Sequence, residues 1–150
     1  MASSERVVVR TGYLLDTNAI SEWMKPLPDR GLMEWSHATD EDLLFLSVVT
    51  IGEVRRGIER LPEGRRKARL TTWLAEEVMD RFGKRLLSVD SAVSQAWGRM
   101  RARADLQGRG VDPIDGLIAA TAESHGLTVV TRNRKDFANT GVPVICPWDD

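Results

Sequence analysis

Side chains that can bind a metal ion follow several apolar segments of this sequence. Asp16 ends one such segment, and Glu53 stands in the helical segment that follows another. Asp115 lies in the first turn of a later predicted helix, and Asn133 and Asp136 follow the last long apolar run. Hard oxygen ligands without nearby His or Cys suit Mg²⁺ or Mn²⁺. Because such ions polarise phosphodiesters and lower the pKa of attacking water, this layout favours metal-assisted phosphodiester hydrolysis.

Each acid also has a purely structural explanation. Thr50 to Glu53 reads T-x-x-E, a capping box that would put Glu53 at the third helical position. Asp112 followed by Pro113 is typical of a helix start, where a further acid at Asp115 suits the helix dipole. Caps do not require acids from distant segments to converge, however. Packed carboxylates repel one another unless a cation lies between them.

Apolar runs that alternate with amphipathic segments predict the elements that position these acids. Predicted strands span residues 13–16, 43–49, 85–89, 127–131 and 142–145. Predicted helices span residues 18–25, 28–39, 50–61, 63–82, 91–106 and 113–125. Continuous apolar strands separated by helices predict an α/β three-layer sandwich, with a central, mostly parallel sheet flanked by helices. Ligands of such sheets bind beyond the carboxyl ends of the strands, where the acids stand.

Length and composition bound the class of protein. The 150 residues, of which 42% are hydrophobic, fit one domain with a real core. We expect residues 1–11 to be a frayed N-terminal extension or an added edge strand, and residues 12–150 to form a single domain. The net charge of -1 means that nucleic-acid binding must come from local patches. With Cys146 as its only cysteine and no signal peptide or membrane span, the chain is expected in the cytoplasm.

Four sequence blocks resemble one known family. LLDTNAISEW, TIGEVRRGI, PIDGLIAATA and VTRNRKDF occur in the order seen in PIN-domain ribonucleases. They most closely resemble the VapC-type toxins of bacterial toxin–antitoxin pairs. The FitB-like branch matches best, in DTN-x-ISE, in D-x-x-IAATA followed by TVxTR, and in a terminal PW-x-D. The resemblance covers residues 13–150 and implies a PIN-like fold and an endoribonuclease toxin that depends on Mg²⁺, with Mn²⁺ as an alternative.

The resemblance also implies roles for the site residues. Asp16 and Asp115 would be the main metal ligands, and Glu53 would complete the pocket by positioning or activating water. The family's frequent fourth acid falls on Asn133, and Asp136 would substitute for it directly or through a water. All five are candidate catalytic residues. We expect one tightly held ion and a second that is weak or recruited with substrate.

Neighbouring residues are expected to support this site. Thr17, Asn18 and Thr131 would orient the acids from a surrounding shell. The candidates for contacts with RNA phosphates are Arg109, Arg132 and Arg134. Single-stranded RNA is favoured over duplex, since proteins that read an RNA sequence usually bind unpaired bases. The basic residues between 65 and 69 are interpreted as a solvated helix face.

Partners follow from the resemblance as well. It implies a VapB- or FitA-like antitoxin that covers the acidic pocket, contact with DNA only through that antitoxin, and a homodimer. No membrane contact is expected. Trp73 and Trp97 fit apolar helix faces and are expected in the core. Trp23, Trp35 and the segment 24–33 are candidates for a partner groove.

Two other functions compete with this reading. A haloacid-dehalogenase-like phosphatase also has an Asp after its first strand, but it needs a second Asp two positions on, where Asn18 stands. The second competitor is a PIN-like binding module with little catalysis that acts through a DNA-binding antitoxin partner. Asn133, in place of a fourth acid, leaves that alternative open.

Overall fold

The computed structural model describes residues 11–149, in which helices and strands alternate along the chain. The strands are β1 (Tyr13–Leu15), β2 (Leu44–Ser47), β3 (Leu86–Leu87), β4 (Thr128–Val130) and β5 (Val144–Ile145). The helices are α1 (Thr17–Glu22), α2 (Arg30–Ala38), α3 (Val48–Glu59), α4 (Arg65–Thr72), α5 (Met79–Phe82), α6 (Ser91–Leu106) and α7 (Pro113–His125). The predicted N-terminal extension lies almost wholly in residues 1–10, outside the described residues.

The strands described between residues 11 and 149 form one sheet in the order β3-β2-β1-β4-β5, and every neighbouring pair is parallel. Leu14 in the central strand β1 is in register with Phe45 of β2 on one side and Val129 of β4 on the other. The chain therefore leaves β1 towards one edge and later returns to pair on its other side. Asp16 directly follows β1 at this topological switch point, where ligands of parallel sheets bind.

Helices cover both faces of the sheet, so the predicted three-layer sandwich is confirmed. Successive strand residues point to opposite faces, and Leu14 and Leu15 accordingly enter different cores. Leu15 packs with α1 to α5, and Leu14 packs with α6 and α7. Both side chains are fully buried. No helix in the described part of the chain is long and apolar enough to cross a membrane.

The boundary between β2 and α3 differs from the prediction. The hydroxyl of Ser47 accepts a hydrogen bond from the backbone N–H of Val49 at 3.0 Å, so Ser47 caps a helix that starts at Val48. The predicted strand 43–49 was therefore too long, and the predicted capping box from Thr50 to Glu53 is wrong. Glu53 lies in the second turn of α3, away from the helix start. Its carboxylate consequently has no capping role.

The long helical segment predicted at residues 63–82 is present, but it is not a uniform α-helix. A π-helical turn, Trp73–Val78, lies between α4 and α5. The buried residues of this segment recur every four positions, at Leu70, Leu74, Val78 and Phe82. A wider turn keeps residues with this spacing on one face, which here packs against the core under α1 and α3.

Candidate active site

Asp16 is held in one orientation by hydrogen bonds to both of its carboxylate oxygens. Its side chain is only 6% exposed. Oδ1 accepts from the backbone N–H of Thr17 at 2.8 Å, and Oδ2 accepts from the hydroxyl of Thr131 at 2.8 Å. An ordinary cap accepts from the second or third helical N–H, whereas this contact is with the first residue of α1. Thr17 acts here through its backbone, and its buried hydroxyl has no hydrogen-bond partner among the described residues.

Thr131 joins the end of β4 to the start of α1. Its hydroxyl, which donates to Asp16, accepts from the side-chain amide of Asn18 and from the backbone N–H of Asn133, each at 3.1 Å. The carbonyl oxygen of Asn18 in turn accepts from the backbone N–H of Arg132 at 3.2 Å. The side chains of Asn18 and Thr131 thus surround Asp16, where the sequence places them.

Asp112, and not Asp115, caps the N-terminus of α7. The carboxylate of Asp112 accepts from the N–H groups of the second and third helical residues, both at 3.1 Å. Trp97 fixes the start of the helix from the other side, since its indole N–H donates to the carbonyl of Pro113 at 3.0 Å. A Cβ at Gly116 would lie 3.2 Å from the same ring. The half-buried carboxylate of Asp115 is therefore available for other partners on a well-fixed helix turn.

The pKa values of two acids of the site, Asp16 and Asp115, are raised. Burial first, and then the charges of neighbouring carboxylates, raise the pKa of Asp115 from 3.8 to about 7. Those neighbours are, in falling order of effect, Asp16, Asp112, Asp136 and Glu53. Burial also raises the pKa of Asp16 despite its hydrogen bonds, with Asp136 and Glu53 adding to the rise. The acids at the start of α1, in α3, in α7 and after β4 therefore lie close enough to interact electrostatically.

Asp136, rather than Asn133, supplies the negative charge of the segment after β4. It raises the pKa of Asp16 more than Glu53 does, and it also raises that of Asp115. Its backbone N–H donates to the carbonyl of Asn133 at 3.1 Å, which closes a short 3₁₀ turn, Arg134–Phe137. The structure thus brings Asp136 within electrostatic reach of the other acids, while Asn133 lies exposed at the start of this turn.

Glu53 lies at the rim of the acidic cluster. It raises the pKa of both Asp16 and Asp115 less than Asp136 does. It lines a cleft of about 170 Å³ between α1, α3 and α4, together with Met24 and Arg66. Arg66 is exposed, as the sequence predicted, yet it borders the same cleft as Glu53.

The acids fit a hard cation that takes only one or two of its ligands from the protein. Among the described residues, no three His, Cys, Asp or Glu side chains converge closely enough to form a metal-binding group by themselves. Mg²⁺ commonly binds proteins through one or two carboxylates and keeps several of its waters. The pair Asp16 and Asp115 meets that requirement. Burial and neighbouring carboxylates raise the pKa of both, and a cation bound between them would favour their ionised forms. A zinc site does not fit, since neither His nor Cys belongs to the cluster.

The predicted RNA-contacting residues fall into two separate clefts. Arg132 and Arg134 line a cleft of about 510 Å³ that also includes Asp136. Arg109 lines another cleft, of about 240 Å³, with Arg103 and the segment 138–141. Arg109 therefore lines a different cleft from Arg132 and Arg134, although it precedes Asp115 by only a few residues in sequence.

The aromatic residues predicted to form a partner groove also separate. Trp35 packs edge-on against Tyr13 with ring centroids 5.0 Å apart, at the margin of the core. The guanidinium carbon of Arg81 lies 4.1 Å from the ring centroid of Trp23. Trp23 and Trp73 both line a cleft of about 510 Å³. Trp73 is thus half-buried at a cleft wall, where the sequence predicted a core position.

Glu22 is a structural centre that the sequence did not reveal. Its buried carboxylate accepts from the Lys25 ammonium and the Asp29 backbone N–H, both at 3.1 Å, and from the Trp148 indole at 3.3 Å. Burial opposes ionisation, but these bonds outweigh it and lower the pKa of Glu22. The terminal PW-x-D block was the available signal, because its tryptophan is the residue that docks here.

Comparison with known proteins agrees with this architecture. The PIN domain family model matches residues 13–143. "VapC ribonuclease Y4jK" of Sinorhizobium fredii is 37% identical over 136 residues, which cover 91% of this chain and 97% of that protein. "Toxin FitB" of Neisseria gonorrhoeae is 36% identical over 137 residues, covering 91% of this chain and 99% of that protein.

A solved structure shows the same fold in detail. "Structure of FitAB bound to IR36 DNA fragment" contains a chain that superposes with a TM-score of 0.86 at 33% identity. The match covers 92% of this chain and 96% of that one. The parallel sheet, the acids at its carboxyl edge and the similarity over nearly the whole length point to one assignment: the chain belongs to the PIN-domain family, within the group of VapC- and FitB-like toxins.

Proposed function

We propose that this protein is the toxin of a VapBC-type toxin–antitoxin pair and that it cleaves RNA phosphodiester bonds as a metal-dependent endoribonuclease. The observation that carries the proposal is that acids from four separate segments lie close enough to interact. Glu53 and Asp136 both raise the pKa of Asp16 and of Asp115. The relative from Sinorhizobium fredii is named a ribonuclease, which supports RNA as the substrate.

Asp16 and Asp115 would hold Mg²⁺ or Mn²⁺ in this site. A cation bound there supplies Lewis-acid polarisation of the phosphodiester and lowers the pKa of a bound water. Thr131 keeps Oδ2 of Asp16 in place, and Asn18 holds Thr131 in turn. Because its pKa is raised to about 7, Asp115 is partly protonated at neutral pH, and a cation held there would favour its ionised form.

The remaining polar residues act from the rim. Glu53 has no capping duty and borders an open cleft, so its carboxylate is free to orient a water or accept its proton. Asp136 adds negative charge that strengthens cation binding. Asn133 offers a neutral carbonyl oxygen beside it, which can serve a second, weakly held cation.

The partner in this proposal is a VapB- or FitA-like antitoxin, and DNA contact occurs only through it. The FitAB structure bound to DNA supports this arrangement. The cleft lined by Trp23 and Trp73 shares Met24 and Leu70 with the cleft of Glu53, so a groove leads from the aromatic residues to the acids. An antitoxin segment in this groove would reach and block the site. We also infer a homodimer, as the family resemblance implies.

The competing functions receive less support. Asn18 stands where a dehalogenase-like phosphatase needs its second acid, and here its amide bridges Thr131 and the backbone of Arg132. This contact gives Asn18 a structural role, and its amide does not supply the acid that the phosphatase needs. The ribonuclease names of the relatives favour catalysis over a binding module with little activity.

The test uses purified protein, freed of antitoxin, on structured and unstructured RNAs with Mg²⁺, Mn²⁺ or EDTA. We expect cleavage with either cation and none with EDTA or in Asp16→Asn. Asp80→Asn, a change of the same charge at an exposed position on α5, is the matched control and retains activity. Cleavage that survives both EDTA and Asp16→Asn would contradict the metal mechanism. A folded protein that cleaves no RNA would instead favour the binding module.

A further inference from the structure

A basic cleft adjoins the acidic cluster. It has a volume of about 510 Å³, and five of its lining residues are consecutive. The lining residues are Arg132, Asn133, Arg134, Lys135, Asp136 and Cys146. We infer that this basic cleft binds the phosphates of single-stranded RNA that flank the scissile bond. The inference rests on the proposed ribonuclease function and names the substrate-holding part of that site.

The backbone that carries the cations is fixed at several points. The N–H of Arg132 donates to Asn18, and the N–H of Asn133 donates to Thr131. Phe137 closes the 3₁₀ turn with a side chain only 1% exposed in the core beneath. The cleft wall is therefore already formed before any ligand arrives, which lowers the conformational cost of binding.

Two of the three cations on this wall are available to a ligand. Arg134 and Lys135 are exposed, and no ion pair between residues 11 and 149 involves either of them. Arg132 is also exposed. The pKa of Asp29 is lowered mainly by the hydrogen bond from the Leu32 backbone N–H, and the charge of Arg132 adds to that effect. Two unpaired cations on adjacent residues, with a third close by, form a patch suited to consecutive phosphates.

The position of the cleft favours the RNA backbone as its ligand. The chain as a whole carries a net charge of -1, and the carboxylates of the site would repel RNA. Asp136 lines the basic cleft and also acts on the pKa of Asp16 and Asp115. A strand whose phosphates lie in the cleft therefore continues into the acidic cluster. The cleft offsets the repulsion next to the place where the reaction would occur.

Cys146 provides a built-in reporter of cleft occupancy. It is the only cysteine of the chain, is partly exposed and lines the cleft. The test follows its reaction with a neutral aromatic disulfide in EDTA at low salt, where the proposed cleavage is off and electrostatic binding is strongest. We expect saturating single-stranded oligouridylate to slow this reaction at least about tenfold, whereas duplex RNA slows it less.

A pair of variants tests the cations by fluorescence anisotropy of labelled oligouridylate. Arg134→Gln/Lys135→Gln should weaken binding and reduce the slope of log K against log salt by about 1.4, since each phosphate contact on a single strand contributes about 0.7. The matched control Lys84→Gln/Arg99→Gln removes the same charge from exposed positions that line none of the described clefts, and it leaves both quantities unchanged.

The outcomes separate this inference from the ribonuclease proposal. Bound RNA that leaves Cys146 fully reactive, or an equal loss of affinity in the control pair, overturns the cleft assignment while cleavage can still be observed. Protection of Cys146 by polyglutamate but not by RNA also overturns it, in favour of an acidic polypeptide. RNA that protects Cys146 in a protein that never cleaves it supports the cleft and refutes the ribonuclease.

Discussion

At the scale of single residues, the hydroxyl of Thr131 organises the site. A threonine hydroxyl offers one donor and two acceptor positions. All three are used here, for the carboxylate of Asp16, the amide of Asn18 and the backbone N–H of Asn133. The same atom thereby orients Asp16 and fixes the start of the basic cleft. A change at this position should affect both parts together.

Thr131→Val tests this role, because valine keeps the shape and removes the hydroxyl. We expect kcat/KM for RNA to fall by about 10- to 100-fold, as is typical when a supporting partner of a ligand is lost. The unsatisfied buried groups should lower the free energy of unfolding by about 1 to 3 kcal/mol. Thr131→Ser retains the hydroxyl and serves as the control. A valine variant with wild-type cleavage would refute the orienting role.

Asp115→Asn, measured in EDTA, tests the burial and the carboxylate repulsion that raise the pKa of Asp115. The pKa of Asp115 is raised from 3.8 to about 7 in the folded state, so its carboxyl contributes most to stability below pH 3.8, and that contribution is lost as pH rises through 7. Asparagine cannot ionise. The variant should therefore match wild type in acid and exceed it by about 1 to 2 kcal/mol at pH 8, allowing for solvent screening.

Thermal unfolding across this pH range measures the effect, which corresponds to roughly 2 to 8 °C in Tm. Asp80→Asn removes an exposed carboxylate and should show no such pH-dependent gain. A difference between Asp115→Asn and wild type that stays constant from acid to pH 8 would refute the electrostatic cause.

At the scale of elements, the C-terminal segment acts as a clamp on the connection between α1 and α2. Trp148 donates to Glu22 on α1, and the N–H of Asp149 donates to Asp29, which caps α2. The segment also passes so close to α2 that a Cβ at Gly31 would lie 2.5 Å from the carbonyl oxygen of Pro147. Because α1 starts at the central acid, the clamp holds the element that positions it.

Gly31→Ala tests how tightly this clamp is packed. Alanine is otherwise a better helix residue than glycine, by about 1 kcal/mol. The clash is with backbone atoms, however, so we expect a net loss of about 1 to 3 kcal/mol in the free energy of unfolding by urea. Gly98→Ala on α6, where nothing lies within 4 Å of the added Cβ, should be neutral or stabilising. Stabilisation by both substitutions would show that the clamp is loose.

At the scale of the whole molecule, the site exists only because the parallel sheet folds. Its acids come from the start of α1, the second turn of α3, the first turn of α7 and the turn after β4. The order β3-β2-β1-β4-β5 places β1 between the strands that precede two of these segments. An unfolded chain cannot gather them, so the free energy of the proposed cation binding would also be free energy of folding.

Mn²⁺ should therefore raise the Tm of the entire domain. At a cation concentration 100 times Kd the gain is about 2.7 kcal/mol, or roughly 5 to 11 °C for a chain of this size. Differential scanning fluorimetry with and without EDTA measures it. Asp16→Asn should lose the shift and Asp80→Asn should keep it. An equal shift in all three proteins would place the cation elsewhere.

Local chemistry allowed the sequence to predict much of the fold. The predicted bounds of α6 and α7 match the structure to the residue, because Asp90 and Asp112 cap them and Gly126 ends α7 with a left-handed φ of 64°. The alternation of apolar strands with helices sufficed for the three-layer class. The block order, in turn, sufficed for the family.

Tertiary structure decided what depends on partners distant in the chain. Whether Ser47 or Thr50 caps α3 depended on where β2 stops pairing, since both hydroxyls can cap a helix. The 3₁₀ turn after β4 decided that Asp136 joins the acids, and the path of the loop after α6 put Arg109 in another cleft. Spacing along the sequence therefore determined which acids could meet. Only packing determined how deeply they are buried and how strongly they interact, which raises the pKa of Asp115 to about 7.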